Sequence, residues 1–209
     1  SVVLNPVLVA TNGKLVQKGS SVLRGKLGQK VLDERISIID DPTIDFAPAS
    51  GPLDCEGTPA GRMPVIENGV LKNYLLDLQS AGLMGAKTTG HGYRSLNARP
   101  TPSSTNTVLA PGEDDVGRLH TELDRGIIVD QVLGSGQSNV LAGEFSVNIS
   151  LGYLVENGKI QGRVKDCMVA GNSYRVLNQL QALSTQREWQ GSDYLPSLCL
   201  GGMKLAARS

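Results

Sequence analysis

Histidine and cysteine are scarce in this 209-residue chain, and their arrangement argues against two classes of site. The two histidines, His91 and His120, have no second histidine at the spacing of a helical metal-binding motif. The three cysteines form no Cys-x-x-Cys pair, and their wide spacing is typical of a reducing compartment. No apolar run reaches the length that a membrane-spanning helix needs.

An excess of charge is also missing, since 20 basic residues balance 20 acidic ones. This balance gives no reason to expect a nucleic-acid or membrane partner. The 25 glycines, together with few aromatic residues, favour turns and sheets over a helical bundle.

A short phrase occurs twice, as VIENG at 65–69 and LVENG at 154–158. Asn-Gly accepts positive φ at both central positions of a type I′ turn, whose twist matches that of paired strands. The β-rich apolar runs on both sides therefore predict two β-hairpins, turning at Asn68-Gly69 and Asn157-Gly158. The sequences beyond the hairpins do not match, so the phrase does not indicate a tandem repeat.

The remaining pattern predicts a β-dominated α+β fold, with antiparallel hairpins or sandwich-like sheets and a few short helices. Two long loops are expected, one before Arg62 and one from Ala86 to Gly112; loops of this length are often functional. Strands are predicted at 35–40, 127–133 and 141–155, and helices at 76–84, 114–123 and from 173 through Leu183.

Motifs of known enzymes are missing, because the chain has neither a Gly-x-Ser-x-Gly elbow nor a phosphate-binding loop with its lysine. The sequence therefore leaves the catalytic residues unknown. His91 draws attention because two glycines flank it in the second long loop, although the sequence shows no partner nearby and favours an ordinary loop histidine.

Several segments in a fixed order resemble one family. They are DCEGTPAGRMPVIENGVLKNYLLDLQSAGLMG at 54–85, TTGHG at 88–92, PTPSSTNTVLAPG at 100–112, AGEFSVNISLGYLVENGKI at 142–160 and MVAGN at 168–172. Their number and order are similar to the C-terminal region of the TldD/PmbA family, long labelled modulators of DNA gyrase and regarded as zinc metallopeptidases. The resemblance implies one C-terminal domain over 1–209, as a fragment of a longer protein with an N-terminal domain.

The resemblance also implies a cytoplasmic dimer that processes small unfolded peptides, formed with a TldD-like subunit or with a second copy. In TldD-like subunits zinc is bound through an HExxxH helix in the preceding region and a cysteine shortly before a Leu-Pro. Here about Glu188 stands at that position before Leu195-Pro196, and no cysteine matches it. We therefore expect no metal ligands and no cofactor in this chain, zinc only in the full-length complex, and a PmbA/TldE-like branch.

The leading hypothesis is a C-terminal domain that supplies substrate-cleft and dimer contacts to a metallopeptidase without a complete metal site. Substrate would lie as an added β-strand, and the candidate substrate-binding residues are His91, Arg94, Thr105 and Asn106. These residues are alternatively loop-stabilising groups. Two other functions stay open, namely the C-terminal half of a catalytic TldD-like zinc enzyme and a non-enzymatic modulator of DNA gyrase. No nucleic-acid or membrane partner is expected.

Overall fold

A computed structural model describes residues 1–121, 123–134 and 138–207. The chain divides into two compact units. The first unit consists of Ser1, Val7–Ala110 and Glu188–Leu195, and the remaining described residues form the second. The glycine-rich segment GSGQSN at 134–139, whose sequence predicts a tight turn between two strands, lies partly outside the described residues.

The described residues form four short α-helices: α1 (Asn5–Ala10), α2 (Gly13–Gln17), α3 (Leu78–Met84) and α4 (Ser173–Leu177). Helix α3 begins at a capping box, in which Asp77 accepts from the backbone N–H of Ser80 and the Ser80 hydroxyl oxygen accepts from the N–H of Asp77. None of the helices in the described parts of the chain is long and apolar enough to cross a membrane.

The first unit contains most of a six-stranded sheet with the order β11-β12-β6-β1-β2-β3. Its strands are β1 (Ile38–Asp40), β2 (Met63–Glu67), β3 (Val70–Leu71) and β6 (Thr107–Leu109), with the 188–190 end of β11 (Leu180–Gln190) and the 193–195 end of β12 (Asp193–Leu200). A separate two-stranded sheet pairs β4 (Gly92–Tyr93) with β5 (Thr101–Pro102). The buried core of this unit includes Leu23, Leu32, Ile36, Ile38, Ile66, Leu71 and Leu109.

The second unit is built on an antiparallel sheet with the order β13-β10-β8-β7, and β9 also pairs with β8. The strands are β7 (Arg125–Leu133), β8 (Glu144–Glu156), β9 (Lys159–Arg163), β10 (Cys167–Asn172) and β13 (Lys204–Ala207). Alternate side chains of β8 are buried as its sequence predicts, and the core combines Phe145, Val147, Ile149, Cys167, Val169 and Val176. The predicted β-dominated α+β class with antiparallel pairing is confirmed.

Both predicted hairpins are confirmed. Asn68 and Gly69 have φ of 49° and 75° between β2 and β3, and Asn157 and Gly158 have φ of 50° and 70° between β8 and β9. Positive φ at both central residues is the requirement of the type I′ turn.

Two predicted helices are wrong. Among the described residues of 114–123, helical structure is limited to a 3₁₀ turn at Val116–Arg118. Asp114 instead bonds to β11 through its backbone, and its carboxylate accepts the N–H of Leu183. The helix that begins after its N-cap Asn172 ends at Leu177, and Leu180 and Leu183 lie in β11 instead. In both cases pairing to a distant strand overrides the local helical spacing.

Candidate functional site

The carboxylate of Asp40, at the end of β1, gathers two segments of the second long loop. Its Oδ2 accepts the backbone N–H of Thr105 at 2.7 Å, and its Oδ1 accepts the Thr105 hydroxyl at 2.6 Å. The same Oδ1 lies 2.8 Å from Nε2 of His91. All three side chains are buried, so these bonds are shielded from competing water.

The second ring nitrogen of His91 is also used. Nδ1 lies 2.9 Å from the hydroxyl of Thr89, which itself accepts the backbone N–H of Leu76 at 2.7 Å. His91 is 1% exposed and both of its nitrogens have partners inside the protein. It is therefore placed to hold the loop, and it does not reach solvent as a general base would have to.

Asn106 closes the base of the first long loop. Its amide Nδ2 donates to the backbone oxygen of Asp41 and to the hydroxyl of Ser50, each at 2.9 Å. Its Oδ1 accepts the backbone N–H of Ala49 at 2.9 Å. One buried side chain thus fixes both ends of the segment 41–50.

Asp54 joins the end of the first loop to β4. Its Oδ1 accepts the N–H groups of Glu56 and Thr58, and its Oδ2 accepts the N–H of Gly92 at 2.9 Å. The backbone N–H of Cys55 donates to the carbonyl of Gly92 at 2.9 Å, so the tight turn 54–58 is tied to this short strand by side chain and backbone together.

Two polar side chains, Tyr93 and Arg94, follow the buried residues His91 and Gly92 in the chain. Burial raises the pKa of the Tyr93 hydroxyl to about 12, and the negative charges of Asp40 and Asp54 act in the same direction. The hydroxyl is protonated at neutral pH with or without this shift, which extends its protonated range to higher pH. Arg94, the next residue, is exposed.

The structure brings together three of the four predicted site residues, in roles that the sequence did not reveal. His91 and Thr105 share Asp40, and Asn106 follows Thr105 directly, but all three are buried. Only Arg94 is open to a ligand. Sequence reasoning missed Asp40, although an acidic residue that ends an apolar strand is a usable signal for a buried carboxylate.

A metal site needs several converging donors. Among the described residues, no three side chains of His, Cys, Asp or Glu come close enough to hold a metal ion. Glu188, predicted to occupy the place of a cysteine ligand, is exposed on β11. These residues therefore do not form a complete zinc site by themselves.

Comparison with known families gives one match over almost the whole chain. The model of the PmbA/TldA metallopeptidase C-terminal domain matches residues 1–207, which include both compact units.

Individual relatives agree with this match. A protein of Buchnera aphidicola named Metalloprotease TldD homolog is 37% identical over 169 residues, which are 80% of this chain and 35% of the relative. The crystal structure of a Thermotoga maritima protein, named as a candidate modulator of a DNA gyrase, superposes with a TM-score of 0.86 at 32% identity, covering 97% of this chain and 47% of that protein. TldE from Thermococcus kodakarensis gives 0.84 at 29% identity, with 96% and 46% covered. The chain thus spans about half the length of these relatives, or less.

Proposed function

Because this chain belongs to the PmbA/TldA metallopeptidase family and matches its C-terminal domain, we propose that it supplies substrate-cleft and subunit contacts to a peptidase acting on small unfolded peptides. The observation that carries the proposal is the Asp40 network. It ties two segments of the second long loop together, close in the chain to the exposed Arg94. Ordering a polar surface in advance lowers the entropic cost of binding an extended peptide.

Strand addition is the binding mode that this domain is equipped to provide. The antiparallel sheet of the second unit ends at β7 and β13, and an edge strand offers backbone groups that bind a peptide regardless of its side chains. An exposed guanidinium then adds attraction for peptide carboxylates or carbonyl oxygens. Such binding suits unfolded substrates of varied sequence.

Hydrolysis itself is assigned to metal ligands beyond the described residues, since these do not fit a complete zinc site. We therefore derive no catalytic step here. Relatives named TldD and TldE both match the chain. The PmbA/TldE-like branch is supported by Glu188, which stands where the resemblance places a cysteine in TldD-like subunits.

The test is Arg94→Ala in the complete assembly, with its partner subunit present and an unfolded peptide as substrate. Losing one charge-assisted contact is expected to lower kcat/KM by about tenfold. Arg99→Ala is the matched control, because Arg99 is an exposed arginine of the same loop. Unchanged cleavage by Arg94→Ala, or an equal loss in both variants, would remove Arg94 from the site.

A further inference from the structure

Strand β7 is an edge of the second unit's sheet that carries exposed apolar side chains. It stands at one end of the strand order β13-β10-β8-β7, so its outer side has no neighbouring strand among the described residues. Edge strands usually discourage pairing with charged side chains, but Val129 and Leu133 of β7 are 41% and 61% exposed. This edge is therefore suited to pairing with an added strand.

A cavity, here called the hollow, opens at the beginning of β7. It has a volume of about 450 Å³, and all of its lining residues belong to the second unit. Arg125 and Ile127 line it from β7, as expected for residues i and i+2 on one face of a strand. Leu154, Val164 and Leu205 complete an apolar wall, and Leu205 is 53% exposed. The hollow thus offers apolar surface to a ligand from solvent.

Arg125 is the charged residue in the lining of the hollow. Its side chain is 79% exposed, so the guanidinium reaches solvent. The Arg125 Nε lies 3.5 Å from a carboxylate oxygen of Glu156, whose side chain is 42% exposed. An exposed ion pair of this kind is weak, and a guanidinium has further donors for a second carboxylate. The hollow therefore combines an apolar wall with a cation that an anionic ligand can reach.

The direction of a peptide added to β7 follows from the sheet and from this charge. The pairings β7 with β8, β8 with β9, β8 with β10, and β10 with β13 are all antiparallel. A peptide that continues this pattern runs opposite to β7, so its carboxyl end lies beside Arg125, the first residue of the strand. Parallel addition would instead place the ammonium end of the peptide beside the guanidinium, where like charges repel.

Edge, charge and hollow are complementary to one kind of occupant. We propose that the second unit captures the free carboxyl end of an extended peptide, with the carboxylate on Arg125 and an apolar last side chain in the hollow. This inference rests on the proposed function and narrows its substrates to unfolded peptides that end in a free carboxylate on an apolar residue. It concerns binding alone and includes no catalytic step.

Fluorescence anisotropy with one hexapeptide, labelled at its amino end, tests the inference on the purified chain. The peptide is made in three forms, which end in a leucine acid, a leucine amide and a glycine acid. The leucine acid is expected to bind at least about fivefold more tightly than the amide, which lacks the charge. It is also expected to bind about tenfold more tightly than the glycine acid, which leaves the hollow unfilled.

Variants of the ion pair separate the role of Arg125 from a general effect of charge. Arg125→Gln is expected to remove the preference for the acid over the amide. Glu156→Gln is expected to increase that preference, because the competing carboxylate is lost. Arg175→Gln is the control, because Arg175 is exposed on α4 of the same unit and does not line the hollow. Its preference is expected to equal that of the wild type.

Three results would each overturn the inference. They are equal binding of the leucine acid and its amide by the wild-type chain, binding of none of the three peptides, and an unchanged preference in Arg125→Gln. Decanoate carries the same charge and an apolar tail without a backbone to pair with β7; competition by decanoate as tight as the leucine acid would show that a free amphiphile is the occupant, against the inference. The cleavage assay of Arg94→Ala measures the proposed function separately, so failure of one is distinguishable from failure of the other.

Discussion

The Asp40 carboxylate holds two segments of the second long loop together. It sits in the first unit with three close donors, from the Thr105 hydroxyl, the Thr105 backbone and the His91 ring. A buried carboxylate is tolerated only when such donors replace its water, and each missing donor leaves part of its desolvation uncompensated.

Thr105→Val removes the shortest of these bonds while keeping the shape of the side chain. We expect the free energy of unfolding to fall by about 1–3 kcal/mol, because Asp40 stays buried without one of its donors. Urea denaturation measures this change. Thr101→Val is the control, since Thr101 is exposed on β5 and its replacement is expected to stay within about 0.5 kcal/mol. Equal stability of the two variants would show that the hydroxyl bond contributes nothing.

For single residues, the sequence predicts which side chains belong to the candidate site better than it predicts their structural roles. His91, Thr105 and Asn106 stand in polar loop segments, and all three lie in the hydrogen-bonded centre of those loops. Their burial could not be read from the sequence, because the partners Asp40 and Asp41 lie more than 50 residues away along the chain. Their role in peptide binding stays a prediction.

Among the elements, the Asn-Gly hairpins are the ones that local sequence determines most directly. A type I′ turn needs positive φ at both central residues, and few residue pairs accept this. The Asn-Gly pair is therefore enough to predict the hairpin from local sequence. The predicted helix over 114–123 is wrong for the opposite reason. The Asp114 carboxylate accepts the N–H of Leu183, which is 69 residues away in the sequence, and no local pattern predicts such a partner.

Gly69 shows that one turn residue also serves a long-range contact. A Cβ at this position would meet the backbone oxygens of Leu32 and Asp33, and its φ is 75°. Gly69→Ala is therefore expected to suffer both backbone strain, about 1–2 kcal/mol, and overlap with a neighbouring segment.

Gly28→Ala separates these two costs. Gly28 has φ of 77°, but no neighbouring atom lies within 4 Å of the place that an alanine Cβ would take, so alanine there carries the backbone strain alone. By thermal or urea unfolding, Gly69→Ala is expected to be less stable than Gly28→Ala by at least about 1 kcal/mol. Similar losses in the two variants would show that the segment at 32–33 moves aside without cost.

For the whole molecule, the sequence predicts the fold class and the family but not the division into two units. The resemblance runs through both units, and the matching family model covers 1–207. The division into two units could not be predicted, because it depends on pairing between strands that are far apart in the chain. Strand β12 joins the first sheet by a parallel pairing of Asp193 and Tyr194 with β6, a contact that the predicted antiparallel hairpins do not contain.

The metal content of the whole chain follows from how its possible ligands are distributed. Both ring nitrogens of His91 lie within hydrogen-bond distance of other side chains, and Cys167 is buried in the core of the second unit. In the parts of the chain that the structure describes, no three side chains of His, Cys, Asp or Glu come close enough to hold a metal ion. Zinc binds tightly only when about four such donors surround it. The purified chain, given equimolar zinc and then dialysed against a mild chelator, is expected to retain far less than one equivalent by elemental analysis.

Cys55→Ser serves as the control for that measurement. Cys55 is exposed, so a surface thiolate is the simplest source of weak, chelator-sensitive zinc, and its loss is expected to lower zinc uptake before dialysis without changing the amount retained afterwards. One equivalent retained by both proteins would instead require a set of protein ligands within these 209 residues. That result would contradict the proposal that this domain binds peptide and partner while the hydrolytic metal is bound elsewhere in the assembly.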